Sequence, residues 1–235
     1  MIRLNSSSLE VGLMADRVAK AALFDGLVSA AKALSSGRRA EIVDVLAQGE
    51  RSVEEIAAEI EQSVANTSQH LQHLLRSGLV RTRRDGTRIH YALASDRVSE
   101  LWAVLRSVSA EHVAEVEKLA AAYLGDRSKL QTMTRAELAR RLGRRDVVVL
   151  DVRPEAEYAA GHVAGAVNVP IGDLSVRVRE LSKNADVIAY CRGPYCVYAD
   201  DAVRTLRRRG VRALRLEDGF PEWARAGLPV ATSTD

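Results

Sequence analysis

Between Gly125 and Gln131 the hydrophobic pattern of this chain changes its period. Upstream, apolar residues recur three and four apart, as on helices, with one short alternating hairpin among them. Downstream, short apolar runs alternate with helical stretches, the pattern of a parallel sheet with crossover helices. A length of 235 residues accommodates two modest domains. The expected architecture is a mainly α domain over residues 1–125, a linker at 126–131, and an α/β domain with a mostly parallel sheet over 132–235.

In the first part, Leu9 to Leu34 reads as one long helix, with Leu13, Val18, Ala22, Leu23, Leu27, Ala31 and Leu34 near one face. Ser35-Ser36-Gly37 ends it, and a second helix runs from Arg38 to Gln48, closed by Gly49. Ser52 and Glu55 make a capping box that opens a third helix, to about Ile60. Ser63 starts a fourth, running to Ser77 and stopped by Gly78. Leu79–Arg84 and Thr87–Leu93 flank Asp85-Gly86, a strong hairpin signal. A last long helix spans about Asp96 to Leu124.

Short helix, turn, second helix and basic hairpin describe a winged helix-turn-helix, whose second helix enters the major groove of DNA. The candidate contacts there are Asn66, Thr67, Ser68, Gln69, His70 and His73, with Leu71, Leu74 and Leu75 facing inward. Asn and Gln match adenine edges, while Ser and Thr suit phosphates or bases. Residues 1–125 hold 15 Lys and Arg against 16 Asp and Glu, so the domain is not basic as a whole. Its cations are concentrated instead: Arg76, Arg81, Arg83, Arg84 and Arg88 face Asp85 alone. Arg81, Arg83, Arg84 and Arg88 would lie along the DNA backbone or in the minor groove.

The stretch Asn66-Thr67-Ser68-Gln69-His70-Leu71-Gln72-His73-Leu74-Leu75-Arg76-Ser77-Gly78-Leu79-Val80 closely resembles the recognition helix and wing entry of ArsR-type repressors. The resemblance implies a homodimer built from the first and last long helices, and repression by binding double-stranded operator DNA. Many members sense metals through cysteines on the third helix, but this chain has Ser52-Val53-Glu54-Glu55-Ile56-Ala57 there and no cysteine in residues 1–125. A soft-metal thiolate site is therefore excluded from that domain. Asp96, His112 and Glu115 occur on the last helix, but Val98 stands where a histidine is wanted, so no metal is expected.

In the second part, strands are expected at Val147–Asp151, Ala166–Val169, Val187–Cys191 and Ala213–Leu216. Helices are expected at Arg135–Leu142, Glu155–Ala160, Leu174–Leu181, Val197–Arg209 and Pro221–Ala226. The chain's two cysteines bracket one loop, Cys191-Arg192-Gly193-Pro194-Tyr195-Cys196, between a strand and a helix. A cysteine at such a turn faces amide groups and the positive end of a helix dipole, which favour the reactive thiolate.

Asp151 through Pro170 resembles the rhodanese homology signature, and Leu216-Glu217-Asp218-Gly219-Phe220-Pro221-Glu222-Trp223 with Gly227-Leu228-Pro229 resembles its closing segment. The resemblance implies that Cys191 accepts a sulfane sulfur as a persulfide. The amides of Arg192, Gly193, Tyr195 and Cys196 can hold the anionic sulfur, and Arg192 adds charge. Asp151 and Arg153 at the strand end orient the loop rather than react, and Glu157 and His162 read as structural. Active members close the loop with a basic residue; here Cys196 stands in its place, a second thiol able to attack a Cys191 persulfide.

The expectation is a DNA-binding regulator whose second domain senses a small sulfur species or thiol oxidant through a persulfide or disulfide at Cys191 and Cys196. A sulfurtransferase of low turnover tethered to DNA, and an arsenic-responsive regulator, remain the alternatives, and no cofactor is called for. The chain has no long apolar span and its N-terminus has no signal-peptide pattern. No membrane partner is expected, and a cytoplasmic setting would keep both thiols reduced at rest.

Overall fold

The structure, a computed structural model, describes residues 6–177 and 185–233, with side chains from Asp16 onward. Instead of one first helix there are two, α1 (Ser6–Leu27) and α2 (Ser29–Leu34), because Val28 leaves helical geometry at ψ 2°. Helices α3 (Gly37–Leu46), α4 (Val53–Glu59) and α5 (Val64–Arg76) enclose Ile42, Val43, Ile56, Ile60, Leu71 and Leu74. The capping box at α4 forms as the sequence requires: the Glu55 amide donates to Ser52 Oγ at 3.3 Å, and the Ser52 amide donates to Glu55 Oε2 at 2.7 Å. At α5 the Asn66 amide donates to Ser63 Oγ at 3.2 Å.

The wing is formed by β2 (Val80–Asp85) and β3 (Arg88–Leu93). It turns through Gly86-Thr87, one residue later than expected, because Asp85 pairs with Arg88. Gly86 supplies the left-handed φ of +59° that the turn needs. A strand too short to carry a period-two signal, β1 (Arg51–Ser52), adds to the far edge of β3. The last helix is also divided, into α6 (Asp96–His112) and α7 (Ala114–Leu124), by extended geometry at Val113. Val18, Leu23 and Leu27 of α1 and Val104, Leu119 and Tyr123 of α6 and α7 are all more than half exposed. The apolar stripe expected on the first helix is thus split: Val18, Leu23 and Leu27 face outward, while Leu34 joins the core of its own domain.

The second part contains β4 (Thr132–Met133), β5 (Val147–Asp151), β6 (His162–Val163), β7 (Val167–Asn168), β8 (Asp186–Tyr190), β9 (Ala213–Leu216) and β10 (Val230–Ala231). Five of them form a parallel sheet in the order β4-β9-β8-β5-β7, while β6 and β10 pair antiparallel. The helices are α8 (Arg135–Arg141), α9 (Glu155–Ala160), α10 (Leu174–Arg177), α11 (Tyr198–Arg208) and α12 (Phe220–Arg225). The expected helix at Leu174–Leu181 lies beyond Arg177 outside the described residues.

Strand β8 is buried on both faces, as a central parallel strand must be. Val187, Ala189 and the following Cys191 join Val203 and Leu206 in one core layer, and Ile188 and Tyr190 join Trp223 in the other. The connection at 126–131 is no free linker, because Leu130 packs on the first of these layers. Among the described residues, no helix is long and apolar enough to cross a membrane.

Candidate functional site

Strand β8 ends at Tyr190 and α11 begins at Tyr198, so the parallel sheet delivers the cysteine loop to its carboxyl edge. Cys191 is 1% exposed and its Sγ is bonded to Sγ of the half-buried Cys196, the two Cα atoms being 6.3 Å apart. The structure is therefore the oxidised form. The expected free thiolate at a helix start is replaced by a buried, bonded Cys191.

The loop is held from behind by arginines. Pro194 O accepts from Arg127 Nη1 at 2.8 Å and from Arg215 Nη2 at 2.9 Å. Arg215 Nη2 also donates to Gly193 O at 3.3 Å, and Arg127 Nη2 to Cys196 O at 3.3 Å. Buried Asp200 lies between the two cations, 2.5 Å from Arg127 Nε and 2.8 Å from Arg215 Nε. Burial, with Arg127 beside it, lowers the Arg215 pKa, and Asp200 opposes both.

These clamps orient the amides. In a trans peptide the C=O and N–H point in opposite directions. Fixing Pro194 O directs the Tyr195 N–H away from the arginines. Fixing Arg192 O, which accepts from Gln48 Nε2 at 3.2 Å, does the same for the Gly193 N–H. The amides of Arg192, Gly193 and Tyr195 have no hydrogen-bond acceptor among the described residues. The fourth expected donor is engaged: the Cys196 amide donates to Gly193 O at 3.1 Å.

Arg192 does not lend a free charge to the loop. Its guanidinium clasps buried Glu157, at 3.0 Å from Nε and 2.6 Å from Nη2, and pairs with Glu59 at the end of α4. These carboxylates outweigh burial and hold the Arg192 pKa above its ordinary value, and the same bond holds the Glu59 carboxyl below the usual carboxylate range. Asp151 and Arg153 form a fully buried pair, Nη2 to Oδ2 at 2.6 Å. Arg153 Nη1 reaches Gln48 Oε1 at 3.2 Å, so its route to the loop runs through Gln48. His162 stacks on Tyr158, and its Nδ1 is 2.9 Å from Tyr158 O.

No motif hints that the N-terminal unit touches this site. Four consecutive residues at the α3–β1 corner do so or adjoin it. Gln48 bridges Arg153 and Arg192, and Gly49, at φ +144°, passes so close that a Cβ would sit 3.1 Å from Ala160 Cβ. Glu50 pairs with wing Arg83, and Arg51 Nη2 lies 3.2 Å from Glu157 Oε1. A second contact joins Arg106 of α6 to both Asp44 and Glu222, with Trp102 Nε1 donating to Asp44 at 2.7 Å and Arg225 to Ser99 at 2.8 Å. Between the two contacts an open cleft of about 960 Å³ runs from Trp102 and Tyr123 to Tyr195 and Cys196. Gln48, Glu59 and Arg127 belong to no recognisable pattern by which they could have been found.

Of the residues expected to meet DNA, Asn66, Gln69 and His73 are exposed, and Ser68 and His70 are partly so. Thr67 is fully buried, and its hydroxyl donates to Ser63 O at 3.0 Å, so its expected DNA contact is withdrawn. The wing register puts Arg81, Arg83 and Arg88 on one exposed face, and Arg84 on the other, where its Nε donates to Gly86 O at 3.2 Å.

Residues 36–82 match the model of the bacterial regulatory protein, arsR family, and residues 134–226 match the rhodanese-like domain. The HTH-type transcriptional regulator Rv0324 of Mycobacterium tuberculosis is 49% identical over 211 residues, 90% of this chain and 92% of that protein. A sulfurtransferase of Allochromatium vinosum is 37% identical over 86 residues, 36% of this chain and 78% of its own. A homodimeric winged helix-turn-helix DNA-binding domain from Mycobacterium bovis is 45% identical, covering 41% of this chain and 89% of its own at a TM-score of 0.39. The chain belongs to the ArsR family of bacterial transcriptional regulators, in a form that carries a C-terminal rhodanese domain.

Proposed function

We propose that this regulator senses reactive sulfur species or thiol oxidants through Cys191 and Cys196, and that the state of the pair sets its affinity for operator DNA. The observation that carries the reading is the bonded cysteine pair in a loop touched by both halves of the chain. Starting from two thiols, Cys191 takes the outer sulfur of a persulfide donor, leaving Cys191–SSH and the donor thiol. Cys196 then attacks the inner sulfur, forming the disulfide and releasing hydrogen sulfide. The unengaged amides of Arg192, Gly193 and Tyr195 suit the anionic persulfide.

The unit boundary falls within 126–131, and the regulator works as a homodimer through the exposed apolar faces of α1, α6 and α7. Asn66, Ser68, Gln69, His70 and His73 read the major groove, and the wing arginines contact phosphates. Fluorescence anisotropy with operator DNA, before and after polysulfide treatment, tests the switch. Affinity should fall at least about tenfold, a coupling within the usual allosteric range, and Cys191→Ser should be indifferent. Unchanged affinity after modification confirmed by intact mass sinks it.

A further inference from the structure

The rhodanese loop is built partly by the DNA-binding unit. Gln48 is 2% exposed, and both ends of its amide are engaged across the boundary: Nε2 on Arg192 O and Oε1 by Arg153. The peptide it holds carries the Gly193 N–H. Glu50, two residues on, meets Arg83 of the wing at 3.0 Å from Nε and 2.5 Å from Nη2. Arg51 begins β1, which pairs with wing strand β3 at Tyr91. One short backbone segment therefore touches the sulfur loop at one end and a wing cation at the other.

From this geometry we infer that Gln48 is a positioning residue of the sulfur site, and that residues 48–51 make thiol reactivity and DNA contact mutually dependent. Gln48 holds the Arg192–Gly193 peptide so that its amide is available to an anion on Cys191. Any shift of that peptide moves Gln48 and the adjoining Glu50, which withdraws Arg83 from phosphate or yields it. Linkage requires the reverse as well: phosphate competing for Arg83 alters the loop through the same corner. The inference rests on Cys191 carrying the anion.

The test uses the full chain reduced by dithiothreitol, whose two thiols supply the two electrons and two protons that open the disulfide. After the reductant is removed, alkylation of Cys191 by iodoacetamide is followed against pH by peptide mass spectrometry. It is repeated with a saturating random duplex of about 30 base pairs at low salt, since phosphate contacts need no operator. Wild type should react at a rate that changes at least about fivefold with duplex. Gln48→Met, which keeps the volume and loses both the donor to Arg192 O and the acceptor of Arg153, should slow alkylation about tenfold at neutral pH, the effect of one hydrogen bond to a charged group. Glu50→Gln, which breaks the pair with Arg83 that phosphate would break, should react without duplex at the rate wild type shows with it, and should lose the response to duplex. A Gln48→Met rate equal to wild type overturns the positioning role. A duplex response absent in wild type, or retained by Glu50→Gln, overturns the coupling. A Cys191 inert in every variant sinks the sensing reading itself, whereas a reactive Cys191 indifferent to Gln48 sinks this inference alone.

Discussion

Arg127 Nε lies 2.5 Å from Asp200 Oδ2, which ties the connection between the two halves to the first turn of the helix that follows the cysteine loop. The same guanidinium holds the Pro194 and Cys196 carbonyls. Asp200 is fully buried and is also the counter-ion of Arg215. Asp200→Asn leaves two guanidinium groups facing each other without a carboxylate. Losing one partner of a buried pair costs about 3–5 kcal/mol. Calorimetry should find a lower Tm for the α/β unit, and a Tm within a degree of wild type would refute the role given to Asp200.

Gly219 passes against the loop backbone at Arg192 and Gly193, where a Cβ has no room. The backbone there is extended, so closeness rather than conformation demands glycine. Gly219→Ala should destabilise by about 1–3 kcal/mol, the usual range for overpacking, and should shift the loop. Urea unfolding measures the first effect and the alkylation profile of Cys191 the second.

Glu61 is the one non-glycine residue with positive φ among the described residues, at +51°. It follows α4, where the Gln62 amide returns to Ala57 O at 2.9 Å, a helix end that favours glycine. Relief of left-handed strain, about 1–2 kcal/mol, exceeds the entropy that glycine adds to the unfolded chain, about 0.4–1 kcal/mol. Glu61→Gly should therefore raise stability by up to about 1 kcal/mol, visible as a higher urea midpoint at unchanged slope.

Tyr190 is fully buried and its hydroxyl donates to Asp151 Oδ2 at 2.5 Å. Burial first, and the Asp151 charge second, hold its pKa well above 10.0. Above pH 10.0 the unfolded tyrosine loses its proton while the folded one keeps it. The native state then binds more protons, so stability falls as pH rises through this window, by up to about 1.4 kcal/mol per pH unit. Tyr190→Phe should be less stable than wild type at pH 8, with the gap narrowing above pH 10. A gap constant with pH would contradict this.

Arg81 and Arg88 share the exposed wing face, and no salt bridge to either is present among the described residues. Replacing either by Ala should weaken binding to any duplex alike. The slope of log affinity against log salt should fall by about 0.9 for each phosphate that the variant no longer neutralises. An unchanged slope would remove the wing from the interface.

Much of the local structure was legible because it is written in short range. Ser52 with Glu55 marked the start of α4, Ser63 that of α5, and apolar runs marked β5 and β9 to the residue. The breaks at Val28 and Val113 were hidden, since neither is a proline or glycine and the apolar period runs through both. Thr67 illustrates the limit of reading helix faces from residue type: a hydroxyl suited to DNA can equally satisfy the carbonyl one turn back. At the site, Cys191 and Cys196 announced themselves by chemistry. Gln48, Glu59 and Arg127 did not, because their partners lie 144, 133 and 73 positions away in the chain and only folding brings them together.

The close pass of Gly49 against Ala160 bears on how such chains can be recombined. Joining a different winged helix to this rhodanese unit at residue 125 would keep every motif that defines both families. It would also discard the glutamine that steadies the loop and the glycine that lets it approach. By the coupling inferred above, such a chimera would keep the Arg127 tie to the loop and lose the contacts that Gln48 and Gly49 make across the boundary.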